Sequence, residues 1–401
     1  MIVPLLLAFS IAIPADGPTT VRFATFNASL NRDEPGALIR DLSTPDNVQA
    51  ANVAEIIQRV APDVLLINEF DYDKDGEAMA LFQKNYLAIG RNGAKAIQYP
   101  YRHAAEVNTG VHSGFDLDNS GEVVAKTGSR GYGNDAFGFG QFPGQYGMAV
   151  YSKYPIDTKT IQSFHLFKWK DMPGALLPTR EDGTPWYPAG ALNVFRLSSK
   201  AHWVLPLNIG GKTVHLLASH PTPPAFDGPE DRNGKRNHDE IRLWADYLHG
   251  GTKAAYLRAD GAADRPITPP AAFVLMGDQN ADPHDGGSVP DAIQQLLNHP
   301  RIDVGFIPKS DGAAEASRLQ GQANKDQKGP PEVDTADFDD RSVGNLRVDY
   351  VLPSKGLKVV GGAVFWPKSD DPLARLVRMR PEVASSDHRL VYLDIIVPAP
   401  E

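Results

Sequence analysis

The stretch Ala272-Phe273-Val274-Leu275-Met276-Gly277-Asp278-Gln279-Asn280 decides how this chain is read. A short apolar run rich in β-formers and stopped by glycine reads as a buried strand ending in a tight turn. The turn projects a carboxylate and a carboxamide, two positions apart, from the strand end. An acceptor-only anion beside a neutral donor and acceptor suits a site that orients a phosphate with a hard cation. The tetrapeptide is common by itself, so its meaning depends on what the other strand ends supply.

They supply matching groups. Val21–Phe26 reads as a strand ending at Asn27, and Asp63–Ile67 as a buried strand ending at Asn68-Glu69. Thr213–Ala218 precedes Ser219-His220, Arg347–Leu352 carries Asp349, and the strand His388–Ile396 follows Asp387. Met148–Tyr151 and Leu357–Phe365 are further strands. Each polar residue has a plainer account: Asn27 as a turn former, Glu69 as a surface acid, His220 before Pro221 as a strand cap. Acids, amides and two histidines repeated at strand ends form a pattern that chance rarely produces, and strand-end loops are where α/β enzymes place their sites.

Helical spacing of Val48, Ala51, Val53, Ile56, Ile57 and Val60 predicts a helix over 46–60, with Asp46 as N-cap and Ala61-Pro62 closing it. Shorter helices are expected over 239–248 and 291–297. Helices are too few for a strictly alternating parallel fold, so a mixed protein with packed sheets fits better. Two long Gly-rich stretches, 104–146 and 307–345, lack periodicity and are long enough to be functional loops. Neither repeats nor a linker interrupt the chain, and a single catalytic domain over 16–401 is expected.

Composition narrows the class. With 401 residues, 42% of them hydrophobic and 22% charged, the chain can bury a substantial core. A net charge of −9 argues against a nucleic-acid duplex as the main partner, because such proteins carry a basic face. The absence of cysteine rules out disulfides, thiolate zinc sites and a cysteine nucleophile. Residues 2–13 form one apolar stretch, too short for the ~20 residues that span a bilayer. It reads as the core of a signal peptide over 1–15, with small residues at Ser10, Ala12 and Ala15, which predicts a secreted or periplasmic protein, against a buried N-terminal strand as the plainer alternative.

Taken together, the motifs resemble the endonuclease/exonuclease/phosphatase superfamily, the group of pancreatic deoxyribonuclease, abasic-site endonucleases, neutral sphingomyelinases and inositol polyphosphate 5-phosphatases. The resemblance spans about residues 20–397. It is carried by Thr25-Phe26-Asn27, Pro62-Asp63-Val64 through Asn68-Glu69, Ser219-His220, Gly277-Asp278-Gln279-Asn280, Val348-Asp349-Tyr350-Val351 and Ser386-Asp387-His388. Gln279 departs from the aromatic residue that the family often carries there, and is expected to point away from the metal.

The resemblance implies an α+β fold, a four-layer α/β/β/α sandwich with two packed mixed β-sheets, as in secreted bacterial-type members. It implies Glu69 as the main ligand of Mg²⁺ or Mn²⁺, with Asn27 and Asp387 helping to hold the metal or its waters. Asp278 and Asn280 would orient the attacking water and contact the phosphate. His388, paired with Asp349, would act as general base or clamp the scissile phosphate. His220 would donate a proton to the leaving oxygen or stabilise the transition state.

Other segments carry weaker signals. Asp116, Asp118 and Ser120 before Gly121, and Asp71-Tyr72-Asp73-Lys74-Asp75-Gly76, both resemble the start of a calcium loop, but Thr127 and Phe82 stand where a bidentate Glu is required. The first segment is read as either a structural Ca²⁺ site or a solvated acidic turn, the second as a shaper of the Glu69 loop. In the polar segment 227–242, Arg232, Arg236 or His238 is a candidate phosphate contact, against a plain surface loop with a helix starting at Asn237 or Asp239. Among the glycines of 128–147, Arg130, Tyr132, Phe137, Phe139, Phe142 and Tyr146 are read as a substrate wall, and equally the aromatics as cover for the sheet edge.

The leading expectation is a secreted, metal-dependent hydrolase of phosphoric esters. Its partner is a phosphate-ester substrate, a small molecule ahead of nucleic acid, and the protein is expected to be a monomer without stable membrane insertion. An extracellular nuclease is the alternative within the class. A catalytically silent binding module on the same fold is the alternative outside it.

Overall fold

Apolar runs that alternate or stay buried sort into two facing sheets. The computed structural model describes residues 17–261 and 266–400, so the signal-peptide segment lies outside the described residues. In chain order the strands begin with β1 (Thr19–Leu30), β2 (Val64–Phe70), β3 (Tyr101–His103), β4 (Met148–Ser152), β5 (Gln162–Ser163), β6 (His202–Ile209) and β7 (Lys212–Ser219). They continue with β8 (Phe273–Asp278), β9 (Ala336–Asp337), β10 (Asn345–Leu346), β11 (Asp349–Pro353), β12 (Lys358–Val364) and β13 (Val391–Val397). One sheet has the order β12-β13-β1-β2-β4-β3 and the other β11-β8-β7-β6-β5, with β10-β9 as a small separate ribbon.

Both sheets are mixed: β1 runs parallel to β2, and β7 parallel to β8, while their other neighbours are antiparallel. Side chains alternate along each strand, so β6, β7, β8 and β11 of the second sheet feed two cores. Leu205, Leu216, Val274 and Met276 join Phe23, Val64 and Leu66 between the sheets. Val204, Leu217, Phe273 and Leu275 instead meet Ile241, Trp244 and Tyr247 of the helix Arg232–His249. Val53, Ile56, Ile57 and Val60 of the helix Val48–Val60 pack on the first sheet. The layers run helix, sheet, sheet, helix. Each fully buried large side chain contributes roughly 1.5–3 kcal/mol.

Local departures from expectation have physical reasons. The first long helix is capped by Asn47, whose side chain accepts from the Ala50 N–H at 2.9 Å, and not by Asp46. The helix expected over 239–248 begins at Arg232, so most of the polar segment forms its partly buried first turns. The helix expected over 291–297 shortens to Gln294–Leu297. Strand β6 escapes sequence reading because Pro206 interrupts it. Pro206 pairs with His215 on β7, beyond the point where β5 covers the other side, so its missing N–H costs no ladder bond. The stretch 307–345 holds a helix, Asp311–Gln320, whose Ser310 cap accepts from Gly312 and Ala313. Its small residues, chiefly alanines, give it almost no apolar stripe to detect. Among the described residues, no helix is long and apolar enough to cross a membrane.

The topology creates the site. Parallel pairs β1/β2 and β7/β8 deliver their C-terminal ends, Asn27, Glu69, Ser219-His220 and Asp278, to one edge of the sandwich. Antiparallel β11 starts at that edge, with Asp349 directly opposite Asp278. β13 enters from the same edge, immediately after Asp387-His388.

Candidate active site

Asp278 sits at the centre. Gly277 lets it get there: its φ is 144°, and a Cβ at this position would lie 2.0 Å from the Ser219 carbonyl oxygen. The Asp278 Oδ1 accepts from the Asn280 N–H at 2.8 Å, which closes the turn, and Asn280 itself holds φ 52°. Asp278 Oδ2 receives the Asn27 amide at 3.0 Å, with His220 Nε2 at 3.4 Å and His388 Nε2 at 3.7 Å. Two histidines therefore point at one carboxylate oxygen. Gln279 does turn away, toward the Ser219 hydroxyl, which also accepts from Trp244.

Glu69 lies beside this group. Its φ of 58° is unusual for a non-glycine residue and carries a cost of order 1–3 kcal/mol, which the surrounding bonds must offset. The Asn27 amide reaches Glu69 Oε1 at 3.1 Å, so Asn27 bridges Glu69 and Asp278. Asp387 lies next to them through Ser29 and Ser386. His388 donates from Nδ1 to Asp349 Oδ2 at 2.9 Å, and the Thr335 hydroxyl donates to the same oxygen at 2.9 Å. The edge of the Phe338 ring packs on the His388 imidazole, 5.3 Å between centroids.

Burial sets the electrostatics. Burial, reinforced by Asp349 and opposed by His388, pushes the Asp278 carboxyl up to about 7. Burial and then Asp387 raise Glu69. Burial works against a charged His388, but Asp349 and Asp278 outweigh it and hold His388 well above the usual imidazole range. Burial, then Lys200 and His388, drive His220 well below it. One histidine is thus charged and the other neutral.

The donor set fits a hard divalent cation. Glu69, Asp278, Asp349 and Asp387 crowd carboxylates around one imidazolium, leaving net negative charge. Ligand atoms of Asp278, Asp349 and His388 lie within 4.8 Å of one another. Asp349 Oδ1 is buried and has no protein partner, as expected of an atom that faces a bound group. Oxygen donors of this kind suit Mg²⁺ or Mn²⁺ over zinc.

Several expected residues are elsewhere. Arg236 is buried and donates to the carbonyls of Leu197, Phe137 and Arg196, so it fastens the loops ahead of β6 to the helix. Arg232 pairs with Glu230 and lies over Trp186, and His238 contacts Asp239. None of the three joins the cluster, because the helix that carries them turns those side chains to its own neighbours. Asp116 and Asp118 do meet a third carboxylate, Asp135, within 4.8 Å. Ser120 joins them: its N–H donates to Asp116 Oδ1 at 3.0 Å and to Asp118 Oδ1 at 3.1 Å, and its hydroxyl lies against Asp118 and the Glu122 carbonyl. Asp73 caps the helix Glu77–Phe82 by accepting from Glu77 and Ala78, a purely structural use. In 128–147 the aromatics divide: Tyr132, Phe137 and Phe142 are buried, whereas Phe139 is exposed and packs at a tilt against Tyr146 near Glu69.

Comparison with known proteins places this geometry. The sequence model of the Endonuclease/Exonuclease/phosphatase family matches residues 24–388. The chain belongs to that family. No curated protein matches it. Among solved structures, an endonuclease/exonuclease/phosphatase from Beutenbergia cavernae is 18% identical with a TM-score of 0.49, covering 94% of this chain and 72% of its own. Sphingomyelinase C from Streptomyces griseocarneus is 14% identical with a TM-score of 0.42, covering 94% and 99%. Truncated TDP2 from Caenorhabditis elegans is 15% identical with a TM-score of 0.40, covering 94% and 98%.

Two site residues escaped sequence reasoning. Thr335 lies in a stretch without periodicity, and only its contact with Asp349 reveals it. Lys200, in Leu197-Ser198-Ser199-Lys200-Ala201 ahead of β6, is 7% exposed; burial lowers its ammonium, and the charges of Glu240, Glu69 and Asp278 oppose that. A lysine before an undetected strand gives no sequence signal.

Proposed function

We propose that this chain is an exported, metal-dependent hydrolase of phosphodiester or phosphomonoester bonds in small molecules. The observation that carries the reading is the convergence of His220 Nε2 and His388 Nε2 on Asp278 Oδ2, with His388 anchored by Asp349. Attack on a phosphate ester needs such donors and acceptors in one place. The net charge of −9 favours small esters over nucleic acid.

A divalent cation held by Glu69 and Asp387, with Asp278 and Asn27 beside it, would neutralise phosphate charge and acidify a water. The chain's own residues do the rest. Asp278, with a carboxyl near 7, accepts the proton of the attacking water, and Asn280 orients that water and a phosphate oxygen. His388, kept charged by Asp349, clamps a non-bridging oxygen. His220 stays neutral and gives an N–H hydrogen bond toward the leaving oxygen.

A substrate panel tests this. Purified protein with Mg²⁺, Mn²⁺ or Ca²⁺ is assayed on bis-p-nitrophenyl phosphate, p-nitrophenyl phosphate, plasmid DNA and sphingomyelin. Metal-dependent turnover of the small esters is expected. Preferential cleavage of DNA would make the protein a nuclease, and no hydrolysis at all would leave a binding module.

A further inference from the structure

The stretch 307–345, aperiodic in the sequence, is joined to the catalytic loop through a buried ion pair. Arg389 follows His388 and is buried, and its Nη2 donates to Asp337 Oδ2 at 2.9 Å. Its Nη1 donates to the carbonyls of Ser386 at 2.9 Å and His388 at 3.1 Å, one on each side of Asp387. The Asp337 N–H donates to the Asp387 carbonyl at 2.8 Å, and the Arg389 N–H to the Thr335 carbonyl at 2.7 Å. All three carbonyls of Ser386-Asp387-His388 are thus taken by this pair. The Ser386 hydroxyl completes the loop, donating to the Asn27 carbonyl at 2.7 Å and accepting from the His388 N–H at 3.0 Å.

The pair is itself held from both sides. Gln320, the last residue of the helix Asp311–Gln320, donates to Asp337 Oδ1 at 2.7 Å. At the other end of that helix the Ser310 hydroxyl donates to the Trp366 carbonyl. Gly312 is needed there, because a Cβ would lie 2.0 Å from the same carbonyl oxygen. The Arg389 guanidinium lies over the Trp366 ring, 4.3 Å from its centroid. The helix therefore runs from one neighbour of Arg389 to the other. Stability alone does not call for this arrangement. Two charges taken out of water carry a desolvation penalty that can exceed their attraction, and well-packed apolar residues often serve a core as well. Arg389 Nε is also buried without a partner, a further cost. What the pair does supply is a rigid fork, a planar guanidinium whose donors reach two carbonyls and a carboxylate at once.

We propose that the Arg389–Asp337 pair is a latch that positions Asp387 and His388. It fixes the backbone on both sides of Asp387, and so sets where that carboxylate stands and keeps His388 Nδ1 within 2.9 Å of Asp349. Both members act through the loop and are positioning residues. The proposal rests on the phosphoesterase reading of the same site, and one readout of its test needs no turnover.

Asp337→Asn and Arg389→Lys are compared with wild type in the full chain at saturating Mg²⁺. The first removes the charge that anchors the fork; the second keeps the cation and removes the fork. Should Arg389→Lys not fold by circular dichroism, Asp337→Asn carries the test. With bis-p-nitrophenyl phosphate, kcat should fall by about 10–100-fold with little change in KM, because the lost geometry acts on the reacting atoms. The second readout is the downfield proton resonance of the His388 Nδ1–H bonded to Asp349, assigned by its absence in His388→Gln. It should broaden or vanish in both variants. A folded variant with wild-type kcat, or with the wild-type resonance, overturns the proposal. A lower Tm with both unchanged does the same, by making the pair structural only. Loss of the resonance in the variants of a chain whose wild type hydrolyses no ester would remove the phosphoesterase reading and leave the latch in place.

Discussion

Replacing Thr335 with valine removes one hydroxyl and almost no volume, from a residue that is 1% exposed. That hydroxyl accepts from the Val348 and Asp349 N–H groups, both at 3.0 Å, and donates to Asp349 Oδ2 at 2.9 Å. The variant leaves two buried donors without a partner and strips Asp349 of one of two protein contacts to Oδ2. At roughly 1–1.5 kcal/mol per bond the loss is about 3 kcal/mol. A chain of this size shifts by about 1.2 °C per kcal/mol, so Tm should fall by about 4 °C in differential scanning calorimetry. Asp349 also fixes His388, and loss of a partner that orients a functional group typically costs about 10–100-fold in activity. Turnover of bis-p-nitrophenyl phosphate should fall within that range, and Thr335→Ser should restore both quantities. A Thr335→Val protein with wild-type Tm and wild-type turnover would refute the idea that this hydroxyl orders the Asp349–His388 pair.

Other perturbations have equally definite outcomes. Gly277→Ala puts a methyl against the Ser219 carbonyl at a φ of 144°, and the soluble, folded yield should collapse, or Tm should drop by more than for Thr335→Val. His220→Ala and His388→Ala should each lower turnover by about 10²-fold or more with folding intact by circular dichroism; near-normal turnover removes that residue from the mechanism. His202 is fully buried between the Ser198 hydroxyl and the Glu240 carbonyl, and burial lowers it from 6.5 to about 4. A group depressed in the folded state stabilises above its unfolded value and loses that contribution as pH falls. Between pH 7 and 4.5 wild type should therefore lose about 2–3 kcal/mol more than His202→Gln in urea unfolding. Equal losses would show that the His202 environment does not resist protonation.

The fold was legible wherever a strand ended in a polar group, and illegible where order came from polar contacts across long separations. The β8 run, its glycine and Asp278 announce a buried strand and a close approach, and the structure adds only the carbonyl that the glycine avoids. Asn27, Glu69, His220, Asp349, Asp387 and His388 were visible because each follows or opens an apolar run. Thr335 and Lys200 have no such frame. One acts from an aperiodic stretch, the other ahead of a strand disguised by Pro206. Arg236 misled for the opposite reason: an arginine in a polar segment looks free, and only the fold shows the three carbonyls that occupy it. Sequence periodicity reports burial, whereas hydrogen-bond satisfaction is decided by partners tens of residues away.

The central claim is that Glu69 and its neighbours hold a divalent cation for phosphoester hydrolysis. Its most direct test is turnover of bis-p-nitrophenyl phosphate by wild type and Glu69→Gln, titrated with Mg²⁺ and Mn²⁺ after exhaustive EDTA treatment. Wild type should be inactive without metal and saturably activated by it, and Glu69→Gln should need far more metal and turn over about 10²-fold more slowly. Undiminished hydrolysis in EDTA, or identical metal activation in Glu69→Gln, would contradict the account.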